Sequence, residues 1–116
     1  MMGKFGIGID IVKINRFRKM PYPKNKKFYN KIFLLKEIQY CLKYRDSAVH
    51  FAGKFALKEA TKKSINKHLD LLEIETSHSN SAPIVRLLNN NNYTFMASLS
   101  HEDIYAIAVV ISAESN

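Results

Sequence analysis

The chain has 116 residues, 47% of them apolar and 24% charged, with 18 Lys and Arg against 10 Asp and Glu for a formal charge of +8. This composition excludes general disorder and collagen-like or mucin-like chains, and the length predicts one domain over residues 1–116 with a single modest core. The charge is polarised: residues 1–63 carry 16 basic and 4 acidic side chains, residues 64–116 carry 2 and 6. The first half therefore attracts a polyanion, which charge alone leaves open between a nucleic acid, a phosphorylated small molecule and an acidic protein.

Phe5 to Val12 alternates with the period of a strand. Phe5, Ile7, Ile9 and Ile11 share one face; Gly6, Gly8, Asp10 and Val12 share the other, where the bare glycines leave room for a close approach. Lys13 to Met20 reads as a short basic helix stopped by Pro21-Tyr22-Pro23. Helices are further predicted over 25–32, 35–44 and about 47–65. Within the second of these lies Cys41, the only cysteine, so no intrachain disulfide can form; a buried structural thiol in a reducing compartment is expected.

Beyond residue 65 the pattern changes to strands at Leu71–Thr76, Pro83–Leu88, Tyr93–Leu99 and Ile104–Ser112, separated by the polar stretches 77–82, Asn89–Asn92 and Ser100–Asp103. The last strand is apolar on both faces, which places it centrally in a sheet or at an interface between copies. An α+β fold follows, an antiparallel sheet packed against a long helix. The N-terminus has no secretory h-region or Arg-rich presequence, and no apolar run reaches about 20 residues, so a soluble cytoplasmic protein with no membrane partner is expected.

The long helix carries the most informative charges. Glu59 and Lys63, at i and i+4, fall inside an arc otherwise made of Ala48, Phe51, Ala52, Phe55, Ala56 and Ala60. A charge there is costly unless paired or metal-bound, although an ordinary surface pair has the same spacing. Lys54, Lys58 and Lys62 recur beside that line as a cationic ridge, either solvated or facing phosphates. Asp10 is the lone carboxylate of the first strand; it either caps the following turn or joins Glu59 as the hard oxygen set that Mg²⁺ prefers. Ser98, Ser100, His101 and Asp103 lack the nucleophile-elbow pattern of a hydrolase, and the four histidines lack zinc-ligand spacing.

Four segments in order resemble holo-acyl-carrier-protein synthase, the small-chain type of 4'-phosphopantetheinyl transferase. They are Gly6-Ile7-Gly8-Ile9-Asp10-Ile11-Val12 with Arg16; Phe28 to Phe33 with Glu37; Ala52-Gly53-Lys54-Phe55-Ala56-Leu57-Lys58-Glu59-Ala60 with Lys63; and Ser98-Leu99-Ser100-His101 followed by Tyr105-Ala106. The resemblance implies the 4'-phosphopantetheinyl transferase-like fold and transfer of the phosphopantetheine arm from coenzyme A to a serine of apo-acyl carrier protein, releasing adenosine 3',5'-bisphosphate, in fatty acid biosynthesis. It implies Mg²⁺ on Asp10 and Glu59, with Lys63 stabilising phosphate charge or relaying a proton. Lys54, Lys58, Lys62, Ser100 and His101 would face the nucleotide phosphates. Lys13, Arg16, Lys19 and Met20 would grip the acidic carrier protein, in a homotrimer whose active sites are shared between neighbours. Two departures stand out: Asn66-Lys67-His68 where relatives carry Gly-Thr-Gly, and Ser81-Ala82-Pro83 for Gly-Lys-Pro. The competing readings are a small basic nucleic-acid-binding domain, which needs aromatic and basic residues interleaved on an exposed strand face, and a weakened relative that binds carrier protein without efficient transfer.

Overall fold

In the computed structural model, which describes residues 4–90 and 92–115, β1 (Phe5–Lys13) is followed by four helices: α1 (Asn15–Arg18), α2 (Lys26–Asn30), α3 (Leu35–Leu42) and α4 (Ser47–Ile65). Strands β2 (Ile74–Ser79), β3 (Ala82–Leu87), β4 (Tyr93–His101) and β5 (Tyr105–Glu114) complete the chain. β1, β5 and β4 form an antiparallel sheet in that order, with the doubly apolar β5 in the centre, and β2 and β3 form a separate hairpin. Position 91, within the polar stretch Asn89–Asn92, lies outside the described residues. Among the described residues no helix is long and apolar enough to cross a membrane.

The joint between β1 and α4 sets the architecture. A Cβ on Gly6 would stand 1.7 Å from the Ser64 carbonyl oxygen, and one on Gly8 would stand 1.9 Å from that of Ala60. The room left by the glycines is thus filled by the backbone of α4. With that face of the sheet closed by the helix, Ala106, Ala108 and Val110 of β5 are fully buried against it. The opposite face presents Phe5, Ile7, Ile9 and Ile11 beside Ile107 and Ile111 of β5 and Met96 of β4, all exposed; Ile7 and Met96 keep 69% and 72% of their surface.

α4 is enclosed on its other side too. α1, α3 and β2 pack on it, and Phe17, Tyr29, Phe33 and Phe51 make an aromatic cluster in which ring centroids lie 4.6 to 6.3 Å apart. Cys41 is fully buried, and burial pushes its thiol up to about 12, so it is not a nucleophile.

Two elements differ most from expectation. The basic helix predicted over Lys13–Met20 contracts to Asn15–Arg18, because Lys13 still pairs with Tyr105 in the sheet and Ile14 turns fully into the core. The strand expected at Leu71–Thr76 begins as a 3₁₀ turn over Leu71–Glu73, and its pairing runs on to Ser79, two left-handed residues (Asn80, φ 51°, and Ser81, φ 68°) making the hairpin turn.

Candidate active site

The step between Gly6 at Ser64 and Gly8 at Ala60 matches two strand residues to one helical turn. Continued once more, it carries Asp10 to the turn of α4 that contains Ala56 and Glu59. Lys63, one turn further on, reaches back along the helix as helical side chains do: its ammonium donates to Asp10 Oδ1 at 3.2 Å and to the Ile9 carbonyl at 3.0 Å. Asp10 is therefore an acceptor of a cation rather than a cap, and Lys63 pairs across to the strand rather than with Glu59. Of the expected trio, Asp10 and Lys63 are in contact, and half-buried Glu59 lies one helical turn before Lys63.

A carboxylate pair of this kind supplies hard oxygen donors, and Asp10 already draws a cation to itself. Among the described residues no group of three or more His, Cys, Asp or Glu side chains could hold a metal unaided. That donor set fits Mg²⁺, which takes one or two carboxylates and completes its shell with water and substrate phosphates.

The lysine ridge does not exist as a single surface, which corrects the expectation for Lys58. Lys58 is fully buried, and its ammonium is saturated by Glu37 Oε1 at 2.7 Å, the Ile32 carbonyl at 2.8 Å and the Leu71 carbonyl at 3.1 Å, so no donor is left for a ligand. The other Glu37 oxygen accepts from the Thr76 N–H at 2.7 Å and its hydroxyl at 2.6 Å. Burial depresses the Lys58 pKa below the ordinary lysine value, and Glu37 opposes that shift. Lys62 borders a different depression with Lys31 and His68. Lys54, 1% exposed, donates to the Thr76 carbonyl and hydroxyl at 3.2 and 3.1 Å and lies 4.6 Å from the Tyr40 ring centre. Burial lowers its pKa as well.

Lys54 forms part of the wall of a cleft of about 260 Å³ shared with Tyr40, His50, His78, Pro83 and His101. Alternation along β4 sends Ser100 to the outer face opposite Ile107, away from this cleft, while His101 pairs with Ala106 on the inner face. Neither His50 nor His78 was singled out in the sequence, and Glu37 was noted only as a point of resemblance.

The predicted partner surface is exposed at Lys13, Arg16 and Lys19 and half-buried at Met20. Arg16 is steadied by the face of Phe55, 5.1 Å from its guanidinium carbon. The spacing of these residues does not follow one helical face, since Lys13 ends β1 and Lys19 lies beyond α1.

A family model described as the 4'-phosphopantetheinyl transferase superfamily matches residues 6–110. The chain belongs to that superfamily. The transferase is 38% identical over 109 residues to a holo-[acyl-carrier-protein] synthase of Thermodesulfovibrio yellowstonii, covering 91% of this chain and 96% of that one. It is 38% identical over 120 residues to the Helicobacter pylori protein of the same name, covering 95% and 98%. Among solved structures, the Bacillus anthracis synthase in complex with CoA (3',5'-ADP) superposes with a TM-score of 0.80 at 30% identity over 96% of both chains. The Helicobacter pylori synthase in complex with coenzyme A gives 0.79 at 36%, over 92% of this chain and 99% of that one. The α+β fold read from the sequence is the fold of these 4'-phosphopantetheinyl transferases. In this transferase both departures from the common motifs fall on left-handed residues, Asn66 at the end of α4 (φ 53°) and Ser81 in the hairpin turn (φ 68°). Asparagine is the residue after glycine that best tolerates that conformation.

Proposed function

We propose that this chain is a holo-acyl-carrier-protein synthase, transferring the 4'-phosphopantetheine arm of coenzyme A to a serine of apo-acyl carrier protein and releasing adenosine 3',5'-bisphosphate, in the cytoplasm and in the service of fatty acid biosynthesis. The observation that supports the reading is the Asp10–Lys63 contact at the glycine-packed joint, one helical turn from Glu59, in a chain of this superfamily. Asp10 and Glu59 would hold Mg²⁺, which supplies charge neutralisation on the pyrophosphate. Lys63 would carry its ammonium from Asp10 toward the phosphate oxygens, where negative charge gathers as the bond to the leaving nucleotide breaks. Lys54 and His101 would hold the nucleotide end, while Lys58 acts inside the core. The serine hydroxyl attacks phosphorus directly, so positioning and charge supply the rate without a covalent nucleophile from the chain.

Lys13, Arg16, Lys19 and Met20 would receive the acidic carrier protein. The exposed apolar face of β1, β5 and β4 suits burial between copies, and a homotrimer with sites at its interfaces is part of the proposal. The nucleic-acid alternative needs basic residues interleaved with aromatics on such a face; between Phe5 and Ile11 this one presents only phenylalanine and isoleucine.

The test is incubation with coenzyme A, Mg²⁺ and apo-acyl carrier protein, with intact mass read for the added arm. Asp10→Asn and Glu59→Gln should retain the wild-type circular dichroism and lose at least about a hundredfold in transfer rate. Wild-type labelling by either variant would overturn the metal assignment, and no mass gain with the native chain and its cognate carrier would overturn the transferase reading.

A further inference from the structure

Among the described residues, one buried side-chain polar atom lacks a partner: Nδ1 of His78. Such an orphan costs free energy and needs a reason. His78 lies on β2 and stacks face to face on Tyr40, with ring centres 5.0 Å apart and planes 7° from parallel, so its ring is held in place. It belongs to the walls of both clefts that flank Lys54, the one of about 260 Å³ and a second of about 390 Å³.

The chemistry of the ring follows from its surroundings. Burial is the main influence lowering its pKa, and the charges of Lys54 and His50 add to it, so the imidazole is neutral at pH 7. A neutral imidazole carries one proton. The enclosed Nδ1 has no acceptor to receive that proton. The proton therefore resides on Nε2, the nitrogen that remains open to the cleft, and His78 presents a fixed donor there.

The smaller cleft is lined by Lys54 and three imidazoles, His50, His78 and His101, and by no carboxylate, so it selects an anion. At about 260 Å³ it takes one end of a large ligand. Coenzyme A carries phosphate at two places, a pyrophosphate and a monoester. The pyrophosphate belongs with the Asp10 and Glu59 carboxylates, where a divalent cation would neutralise it; the monoester on the ribose needs neutral or cationic donors instead.

Resting on the proposed transferase reading, we infer that His78 is a specificity-determining residue that donates from Nε2 to the ribose phosphate monoester of coenzyme A, so that this chain discriminates coenzyme A from its dephosphorylated form. The enclosure of Nδ1 and the stack on Tyr40 keep the donor aimed without a hydrogen bond of its own.

Calorimetric titration of the full chain with coenzyme A and with dephospho-coenzyme A tests this. His78→Phe keeps the stack on Tyr40 and removes the donor; His78→Gln restores an N–H near the Nε2 position. His78→Phe should weaken coenzyme A about tenfold and leave dephospho-coenzyme A within about twofold, and His78→Gln should recover most of the loss. In steady state the same change should appear in KM for coenzyme A with kcat retained. Equal weakening of both ligands, no weakening of either, or no recovery in His78→Gln would each overturn the assignment while leaving the transferase reading intact. If the native chain bound neither ligand, both would fall.

Discussion

Gly8→Ala is the sharpest probe of the joint that brings Asp10 to Lys63. The new methyl carbon would lie 1.9 Å from the Ala60 carbonyl oxygen and 2.8 Å from the Ser64 amide nitrogen. Both are backbone atoms of the central helix, so no rotamer change relieves the clash. Restoring van der Waals spacing requires the helix or the strand to retreat by about 1.5 Å, and β1 is pinned by pairing with β5 from Phe5 to Lys13. Overpacking against side chains costs about 1–3 kcal/mol; against backbone the upper figure applies, about 3 kcal/mol. With a urea slope of about 1–3 kcal/mol/M, the unfolding midpoint should fall by at least about 1 M. The retreat also stretches the 3.2 Å Asp10–Lys63 contact, so transfer should weaken in whatever fraction remains folded. Gly53→Ala is the matched control, because its Cβ meets only the flexible Leu99 side chain, at 3.0 Å, and alanine favours the helix by about 1 kcal/mol. A Gly8→Ala midpoint within about 0.3 M of wild type, or a shift no larger than that of Gly53→Ala, would refute the account of why the glycines are there.

Glu37→Leu leaves the Lys58 ammonium buried beside two carbonyls and should cost about 3–5 kcal/mol, with Lys58→Met in the same chain restoring much of it; simple additivity of the two changes in urea unfolding would contradict the pairing. Glu75 is held below the ordinary glutamate value, chiefly by its bond to Arg86 and then by Lys36. A depressed carboxylate adds stability that is present above the unfolded value near 4.5 and lost as pH falls through the folded one. The thermal midpoint below pH 4.5 should therefore fall less steeply in Glu75→Gln than in wild type, and parallel curves would count against the pair. Ile9→Lys, on the exposed sheet face, should leave monomers in sedimentation velocity where the native chain sediments as a trimer; a native chain that is itself monomeric at micromolar concentration defeats that part of the proposal.

The Asp10–Lys63 pair is legible because each member breaks its local pattern, a carboxylate in an apolar strand and a charge inside an apolar helical arc, and the proposed role of Glu59 rests on the same break. Lys54 and Lys58 were misplaced on a surface because a helical wheel assumes one buried face. α4 is covered by the sheet on one side and by α1, α3 and β2 on the other, so lysines outside the apolar arc are enclosed as well. Their partners, Glu37 and Thr76, are distant in sequence and become neighbours only through packing. The separation of Ser100 from His101 was within reach of the strand period, and was missed because the strand was ended at Leu99 rather than His101. His78 escaped notice for the same reason, as the pairing of β2 runs through a stretch that composition marks as a loop. α4 covers the span expected of it, about 47–65, since its apolar rhythm continues to Ile65 and Asn66 turns left-handed.

The bare isoleucine face has a consequence for handling and for life in the cell. Phe5, Ile7, Ile9 and Ile11 are in the open as soon as a single chain folds, so under the proposed homotrimer their cover depends on meeting another copy. Protection is then a matter of mass action: heat resistance should rise with total protein concentration, and dilution should release a species whose sheet face adheres to chaperones, vessel walls and other unfolded chains. A gene expressed at a trickle would yield proportionally more of this sticky intermediate than one expressed in a burst, and the half-life of the enzyme would depend on how many neighbours each new chain finds.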